Sequence, residues 1–443
     1  MLTIALIISL GACAQYRPLP LETRPLSLLA PDPAELSQDA LNIDRPYLRP
    51  VVIDLSRPLD ANAIAVIAVL ANPDLKALRV RAGVSDAQVF AAGLLPDPTI
   101  SLGFDTVVAG PPAASNIVGA LGLGLATLRT RSAVRAQARA AARQVRLDLA
   151  WAEWQTAGQA RLQAERVIGL ERAVIILTAS RDASQSLLSR KLRASGRGDL
   201  MPDQVEAARL SAFDAADRLR IAERDLGAAR SELIRLLGLP PGFKLRLAQS
   251  PYTATLGDAG ALFAVAARER LDLKALEAGY DAQEAMLRKA VLDQFPTLDL
   301  TVNASRDTGR NTLLGPAIAF TLPLWNRNRG GIGIETATRA ALFAEYGARL
   351  ARTRADIAAA IDAIAIVQRQ RAAILADLPA LEKFAAASRR AADRGDLALA
   401  TAETAEAALR DKQLLLVQAE RDSTEQSIAL EMLTGTLKES WPQ

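Results

Sequence analysis

Hydrophobic positions along this chain recur with the two-residue period of a strand in some segments and with a helical period in others, and each change of period marks a boundary between predicted elements. Over residues 99–105 apolar side chains alternate with polar or small ones, which predicts a strand with one apolar face. A second alternating segment follows at 117–125, and the same arrangement returns at 297–303 and 317–324. The pattern predicts one β-hairpin in each half, with an apolar face made of Ile100, Leu102, Phe104, Leu121, Leu123, Leu125, Leu298, Leu300, Val302, Ile318, Phe320 and Leu322.

Long helical segments surround the hairpins. No proline occurs between Pro112 and Pro202, and Ala-, Arg-, Leu- and Glu-rich sequence over about 128–195 predicts one helix on the order of 100 Å long. The second half predicts a similar helix, kinked at Pro379. Shorter helices are expected before each hairpin, at 63–94 in the first half, and after each long helix. Laid end to end they match the long helix, which predicts a second rod beside it.

The chain is a tandem duplication. Its tetrapeptide Arg197-Gly198-Asp199-Leu200 returns 197 residues later as Arg394-Gly395-Asp396-Leu397, and residues 74–78 are repeated letter for letter at 272–276. Each tetrapeptide is expected to turn one helix into the next, with Gly as a left-handed C-cap and Asp as the N-cap of the returning helix.

The amino-terminal region predicts a lipoprotein leader. Leu2 to Leu10 is an apolar run too short to span a bilayer, and it ends in Leu-Gly-Ala-Cys with Cys13 as the lipidated residue. No Lys or Arg precedes the run, which suggests a translation start a few codons upstream. Ala14, rather than Asp, favours sorting to the outer membrane.

The predicted domain boundaries follow from these signals. They are a signal peptide at 1–12, a lipidated, Pro-rich, extended strap at 13–60, a first repeat at 61–240, a linker at 241–260, a second repeat at 261–437 and a tail at 438–443. The first repeat carries strands at about 98–108 and 116–127 and a helix turn at 196–200. The second carries strands at about 296–306 and 312–325 and a helix turn at 393–397.

Composition excludes several classes of function. The chain has 443 residues, no His and a single Cys, so metal sites built on His or Cys and Ser/His or Cys/His catalysis are not expected. No basic tract is interleaved with stacking aromatic residues, which argues against nucleic-acid binding. We therefore predict no enzymatic activity, no cofactor and no metal site.

Alternation alone fits a soluble sheet or a membrane barrel. Four strands with a continuous apolar face cannot close a barrel by themselves, and open edges in hydrocarbon would leave backbone groups unpaired. In a membrane, several copies must therefore complete one barrel together.

The chain resembles the TolC family of outer-membrane efflux channels from Cys13 to about Leu437. The resemblance rests on the duplicated order of elements, the two Arg-Gly-Asp-Leu turns, and the segments Asn72-Pro73-Asp74-Leu75, 93–98 and 236–239. Residues 323–330 (Pro-Leu-Trp-Asn-Arg-Asn-Arg-Gly) look most like its cobalt-zinc-cadmium branch. The resemblance implies a mainly α protein whose four strands join a trimeric 12-stranded barrel in the outer membrane. The helices then form a periplasmic coiled-coil tunnel that meets a periplasmic adaptor and an inner-membrane pump of the resistance-nodulation-division type.

The resemblance also implies that the helix turns form the periplasmic aperture and the adaptor-docking site. The residues concerned are Arg197, Gly198, Asp199, Leu200, Asp203, Asp393, Arg394, Gly395, Asp396 and Leu397. Their carboxylates would favour cations and would hold the aperture shut through pairs with Arg197, Arg394 or Arg390.

Two other interpretations stay open at this point. One is a lipid-anchored periplasmic coiled-coil scaffold or adaptor with a soluble sheet, and the other is the outer-membrane duct of a type I protein secretion system. The branch resemblance favours metal cations as cargo, but the Met residues form no cluster of soft ligands.

Overall fold

The computed structural model describes residues 16–21, 31–106, 108–110, 114–249 and 257–441. Cys13 and the predicted leader lie outside the described residues. The chain contains two repeats of one order of elements, helix, helix, strand, strand, long helix and return helix. The first has α2 Ala61–Ala71, α3 Pro73–Gly93, β1 Thr99–Asp105, β2 Asn116–Gly124, α4 Ala126–Gly196 and α5 Pro202–Leu236. The second has α6 Ala259–Glu269, α7 Leu271–Leu292, β3 Leu298–Arg306, β4 Thr312–Phe320, α8 Arg329–Asp393 and α9 Leu399–Thr434. The mainly helical, duplicated fold class is confirmed.

The strap before the first repeat is not wholly extended, contrary to expectation. It contains α1, Pro33–Leu41, whose N-cap Asp32 accepts a hydrogen bond from the N–H of Ala34. Pro33 occupies the first turn, where its missing N–H has no partner to lose, so the proline begins this helix instead of preventing it.

The helix predicted over 63–94 is two helices. It breaks at Asn72, which has extended backbone angles because Pro73 follows it. The second repeat breaks at the equivalent place, between α6 and α7, although Arg270 is followed by Leu271 and no proline is present.

The long helices are continuous. α4 has 71 residues and α8 has 65, and α8 includes Pro379 in its interior. The return helices α5 and α9 have 35 and 36 residues. α5 ends against the start of α3, where the side-chain N–H of Asn72 donates to the carbonyl of Leu236 at 2.9 Å. This junction is consistent with the predicted end-to-end stacking of two shorter helices beside α4.

α4 is central to the helical body. It packs against α5, α7 and α9, while α9 also packs against α8. The largest apolar core surrounds α2, whose residues from Ala63 to Val69 are all nearly inaccessible to solvent, and it includes the strap and the 239–247 segment. Leu59 in the strap pairs with Leu247 through a parallel β-bridge, so the strap and the linker close over this core together.

Among the described residues, no helix has both the length and the apolar character required to cross a membrane.

Candidate functional site

The four strands form one antiparallel sheet in the order β1-β2-β3-β4. In an antiparallel ladder directly paired residues point to the same face. Ile100 pairs with Leu121, which pairs with Val302, and Leu300 pairs with both Leu123 and Ile318. The register therefore unites the apolar positions of both repeats on one continuous face.

Most of the predicted lipid-facing residues lie in this face and are exposed. Those within strands, with exposed fractions of 37% to 84%, are Ile100, Leu102, Phe104, Leu121, Leu123, Leu298, Leu300, Val302, Ile318 and Phe320. Within the described chain the strands contact chiefly one another. A solvent-exposed apolar surface that crosses four strands is typical of a protein or membrane contact.

Two residues of that set are not strand residues. Leu125 has αR backbone angles and occupies the N-cap position of α4, although its N–H still donates to the carbonyl of Leu298 at 2.9 Å. Leu322 lies beyond Phe320, where β4 ends, and the following Pro323 has no N–H with which to continue a ladder. The predicted strands at 98–108, 116–127 and 312–325 were accordingly too long at one end or both.

The opposite face is mostly polar or lined by small residues, and Val118 and Leu313 are its two large apolar side chains. It carries Thr99, Ser101, Asp105, Asn116, Asp299, Thr301, Asn303 and Ser305, with Gly and Ala at many intervening positions. Asp299 lies between Gly124 and Ala319, so small neighbours leave its carboxylate accessible. One face suits hydrocarbon and the other suits water, which is the division a strand in a barrel wall requires.

Both edge strands are open. β1 pairs only with β2 and β4 only with β3 in the described chain. The outer N–H and C=O groups of β1 and β4 are therefore available to strands of another molecule. In water they would be solvated, but in hydrocarbon each unpaired group costs several kcal/mol.

The two helix turns have the same geometry. Gly198 and Gly395 have φ of +80° and +83°, which confirms the predicted left-handed caps. The N–H of Asp199 donates to the carbonyl of Ala194 at 3.0 Å, and the N–H of Asp396 donates to that of Ala391 at 2.9 Å. These bonds satisfy carbonyls that a helix C-terminus would otherwise leave free.

The predicted N-cap role of the two aspartates is wrong. The N-cap residues are Met201 and Ala398, and neither makes a side-chain cap. Asp199 instead accepts a hydrogen bond from Nε of Arg197 at 2.9 Å, and Asp396 accepts one from Nε of Arg394 at 2.9 Å. Two further residues lie between each aspartate and the first residue of the helix. The carboxylate therefore binds the nearby arginine and does not cap the N–H groups of the helix.

The remaining residues of the predicted aperture lie around these turns. Asp203 is exposed in the first turn of α5, and Asp393 pairs with Arg389 at 3.2 Å instead of with Arg390. Leu200 and Leu397 are half-buried. In a single copy the charged pairs of each turn are thus local ones.

Sequence reasoning missed an ion-pair cluster around the buried Glu403, close to the turns. Glu403 on α9 is 8% exposed and lies 2.5 Å from Nη2 of Arg190 on α4 and 3.5 Å from Nη1 of Arg389 on α8. Glu403 therefore links α4 of the first repeat to α8 and α9 of the second, close to the predicted aperture. Nothing in the sequence around Glu403 indicates that it is buried in an ion pair, because Arg190 is more than 200 residues away and Arg389 lies on another helix.

Two comparisons with known sequences bear on this geometry. Residues 262–436 match the family model described as "Outer membrane efflux protein". No curated protein matches the chain significantly.

Solved structures resemble the fold of almost the whole chain. The Campylobacter jejuni CmeC outer membrane channel is 14% identical with a TM-score of 0.70, over 86% of this chain and 87% of that one. The outer membrane protein VceC from Vibrio cholerae is 15% identical with a TM-score of 0.69, over 85% and 96%. The Neisseria gonorrhoeae MtrE outer membrane channel, in its open state, is 16% identical with a TM-score of 0.63, over 84% and 88%. Residues 262–436 thus match the outer membrane efflux protein family, and the described chain as a whole has the fold of solved outer-membrane channels.

Proposed function

We propose that this protein is the outer-membrane exit duct of a tripartite efflux system and conducts substrate passively from the periplasm to the exterior. Three copies would each give four strands to one 12-stranded barrel, and their long helices would surround a periplasmic tunnel. The duct carries out no catalysis and uses no cofactor, and the energy comes from an inner-membrane pump of the resistance-nodulation-division type through a periplasmic adaptor.

The observation that supports this function best is the sheet. Its apolar face crosses all four strands, its other face is mostly polar or lined by small residues, and both of its edges are unpaired within the described chain. Neighbouring copies would pair the edges, lipid would cover the apolar face, and the polar face would line an aqueous lumen. The similarity to solved outer-membrane channels supports the same conclusion.

The Arg-Gly-Asp-Leu turns are proposed as the periplasmic aperture and the adaptor-docking site. They lie at the far ends of the long helices from the strands, and each exposes a carboxylate and a guanidinium. Opening would separate the helix ends, driven by an adaptor that binds the open arrangement more tightly than the closed one.

Attachment through a lipid on Cys13 and export of metal cations are the finer parts of the proposal. The first rests on the leader sequence, and the second on the resemblance of residues 323–330 to the cobalt-zinc-cadmium branch. A periplasmic scaffold with a soluble sheet is disfavoured because the apolar side chains of the sheet are exposed in the described chain. A protein-secretion duct would use the same architecture but a different inner-membrane partner.

A conductance measurement tests the duct. Purified protein added to a planar lipid bilayer should give discrete single-channel currents, and the material extracted in detergent should have the mass of three chains. A protein that remains a single chain and gives no current would contradict the proposal.

Deletion of both turns tests the docking role. Removal of residues 197–200 and 394–397 should abolish export in cells while the assembled complex persists in the outer membrane. Unchanged export in the deletion variant would remove the turns from the mechanism.

A further inference from the structure

The chain between β4 and α8 departs from the duplication. A shift of 197 residues, the spacing of the Arg-Gly-Asp-Leu turns, places Pro323 opposite Ala126, the first residue of α4. The second long helix, however, begins only at Arg329, so residues 323–328 are non-helical where the first repeat has helix. We call residues 322–329 the strand-exit segment.

The buried positions of the two long helices support this alignment. Ala160 and Val167 are 0% and 2% exposed in α4, and their counterparts Ile357 and Ile364 are both 0% exposed in α8. The two helices therefore share one phase, and the delayed start of α8 is not the result of a shifted register.

Hydrogen bonds fix the strand-exit segment at both ends. Just before it, the N–H of Thr321 donates to the carbonyl of Thr297 at 3.3 Å. Near its other end, a side-chain N–H of Asn328 donates to the carbonyl of Ala290 on α7 at 2.8 Å. A Cβ at Gly331 would lie 2.5 Å from Oδ1 of Asn328, so the glycine lets this side chain pack against the start of α8. The segment therefore has a defined position relative to the sheet and to α7.

The apolar side chains of the segment are exposed. Leu322 and Leu324 are exposed, and Trp325 is 86% exposed, whereas its counterpart in the first repeat, Leu128, is at 40%. They follow directly on Phe320, the exposed last residue of β4. The apolar surface of the sheet thus continues past its helix-side end and includes a tryptophan, a residue enriched where a membrane meets water.

The arginines that follow the first hairpin are bound within the chain. Arg129 donates to the carbonyls of residues 295 and 296 at 3.2 and 2.8 Å, and Arg131 donates to the carbonyl of Gly93. Their counterparts in the second repeat are asparagines, at 326 and 328. The cationic side chains of the first repeat therefore stabilise the fold at this place.

The arginines of the strand-exit segment have no such partners. Arg327 and Arg329 are exposed, and neither guanidinium group makes a hydrogen bond or an ion pair with a described residue. The sequence contains no Asp or Glu between Asp307 and Glu335 that could neutralise them locally. Two cationic groups are therefore available to an anion from outside the chain.

We propose that the strand-exit segment binds the headgroups of anionic phospholipids in the leaflet that faces the helices. Arg327 and Arg329 bind the lipid phosphate, because a guanidinium group can donate two parallel hydrogen bonds to phosphate oxygens. Trp325 lies at the boundary between hydrocarbon and headgroups. The inference rests on the proposed function in that the sheet lies in a bilayer, and it adds the charge of the lipid and the residues that recognise it.

Charge and continuity together identify the class of ligand. A free phosphate ion does not account for the exposed tryptophan and leucines, and an apolar partner helix does not account for two unpaired guanidinium groups. An anionic phospholipid offers hydrocarbon to the first set and a phosphate to the second. The sequence presents them in the matching order, first the apolar end of β4, then Trp325, then Arg327 and Arg329.

Tryptophan fluorescence tests the position of the segment. Trp325 is exposed, whereas Trp154 and Trp441 are buried and Trp151 is half-buried. In vesicles of phosphatidylcholine and phosphatidylglycerol, phospholipids brominated on the acyl chain next to the headgroup should quench the fluorescence of the full-length protein. Trp325→Phe should remove most of that quenching, and the control Trp441→Phe should leave it largely intact.

Lipid binding tests the two arginines. Native mass spectrometry of the purified protein in detergent should show phosphatidylglycerol bound about 30-fold more weakly to Arg327→Gln with Arg329→Gln than to the wild type, since each basic residue contributes about fivefold at an anionic surface. The matched control is Arg352→Gln with Arg354→Gln, which removes two exposed, unpaired arginines of the same spacing from α8, about 35 Å farther along the helix. The control should bind phosphatidylglycerol as the wild type does, and inorganic phosphate should not displace the lipid.

The proposal is overturned if the Arg327/Arg329 variant binds phosphatidylglycerol as tightly as the control does, if inorganic phosphate displaces the lipid, or if quenching does not depend on Trp325. Failure of the proposed function would look different. Bilayer current without quenching of Trp325 would leave the duct and remove this site. Quenching of Trp325 and weaker phosphatidylglycerol binding in the variant, without current, would leave the site and remove the duct.

Discussion

The two repeats break their first helix at equivalent positions with different chemistry. Asn72 has φ −56° and ψ 124°, and Arg270 has φ −59° and ψ 124°. Each side chain donates to the carbonyl near the end of its return helix, Asn72 to Leu236 at 2.9 Å and Arg270 to Leu433 at 2.7 Å. The same backbone geometry is thus stabilised once by a neutral amide and once by a buried guanidinium.

The buried charge of Arg270 needs partners that the neutral amide of Asn72 does not need. The amide oxygen of Asn72 accepts from two N–H groups at the start of α3, so one side chain satisfies both helix ends. Arg270 cannot accept, and instead binds both carboxylate oxygens of Asp272, at 2.9 and 2.8 Å, and lies 4.8 Å from the ring of Trp151. In the first repeat the break is thus held by the amide cap of Asn72 and by Pro73. In the second repeat it is held by the ion pair of Arg270 and Asp272.

The largest expected effect follows from removing that guanidinium. Arg270→Ala leaves the carboxylate of Asp272 buried with only Arg349 at 3.0 Å, so we expect a loss of about 3–5 kcal/mol in the free energy of unfolding. Denaturation by guanidinium chloride in detergent measures it. Arg349→Ala is the matched control, because its side chain is 35% exposed and should cost clearly less. Equal losses would show that the break does not depend on Arg270.

A second prediction concerns the glycine beside the break in the first repeat. Gly238 has φ +62°, and a Cβ there would lie 2.3 Å from the carbonyl oxygen of Ala71. Gly238→Ala should therefore cost on the order of 3 kcal/mol, from the left-handed backbone and from contact with an atom that cannot move aside. Gly242→Ala has φ +80° and open space around it, and should cost only about 1 kcal/mol. A similar cost at both sites would mean that the junction of α2 and α5 is not closely packed.

The amide itself should contribute less. Asn72→Ala removes both the cap of α3 and the bond to Leu236, and we expect a loss of about 1–2 kcal/mol in the free energy of unfolding. Asn72→Asp keeps the acceptor for the cap but loses the donor, so it should be less stable than the wild type. If Asn72→Ala cost as much as Arg270→Ala, the two breaks would be equally dependent on their side chains, contrary to this comparison.

The charged break should also make stability depend on pH. Burial raises the pKa of Asp272, but hydrogen bonds and charge from Arg270 and Arg349 outweigh it, so the pKa is lowered overall. A carboxylate with a lowered pKa contributes stability above its unfolded pKa, near 4, and loses it as the pH falls through the folded value. Each such group changes the free energy of unfolding by at most about 1.4 kcal/mol per pH unit.

The pKa of Glu153, in the first repeat, is lowered as well. Burial raises its pKa, and the hydrogen bonds from Arg45 and Arg79 more than reverse that effect. The free energy of unfolding of the wild type should therefore fall as the pH is lowered from 5 to about 3, and it should fall less steeply in Asp272→Asn. Glu153 is one of the carboxylates that account for the remaining slope. An unchanged slope in Asp272→Asn would show that this carboxylate does not titrate on unfolding.

Sequence patterns sufficed for the elements that local rules specify. The alternation of residues 99–105 specified a strand because successive side chains of a strand point to opposite faces, and Gly198 and Gly395 marked the turns because only glycine enters the left-handed region easily. The break at Arg270 had no such signal, since the residues on both sides form helix readily and the cause is a contact with α9. The cluster around Glu403 was hidden for the same reason, because its partners are distant in sequence.

The smallest stability effect, and the sharpest contrast with Arg270, is expected at the helix turns. Arg197 and Asp199 are 68% and 59% exposed, so water screens their pair and Arg197→Ala should change the free energy of unfolding by less than about 1 kcal/mol. Arg394→Ala should behave alike, because its pair has the same length and similar exposure. If the turns form the aperture, the double variant should nevertheless change single-channel conductance or the rate of export, since removal of two positive charges per copy alters the field at the mouth. If the double variant kept normal stability and normal conductance, the two arginines would have no role beyond that of solvated surface residues. If it lost much stability instead, the exposed arginine pairs of the turns would matter as much for folding as the buried pair of Arg270.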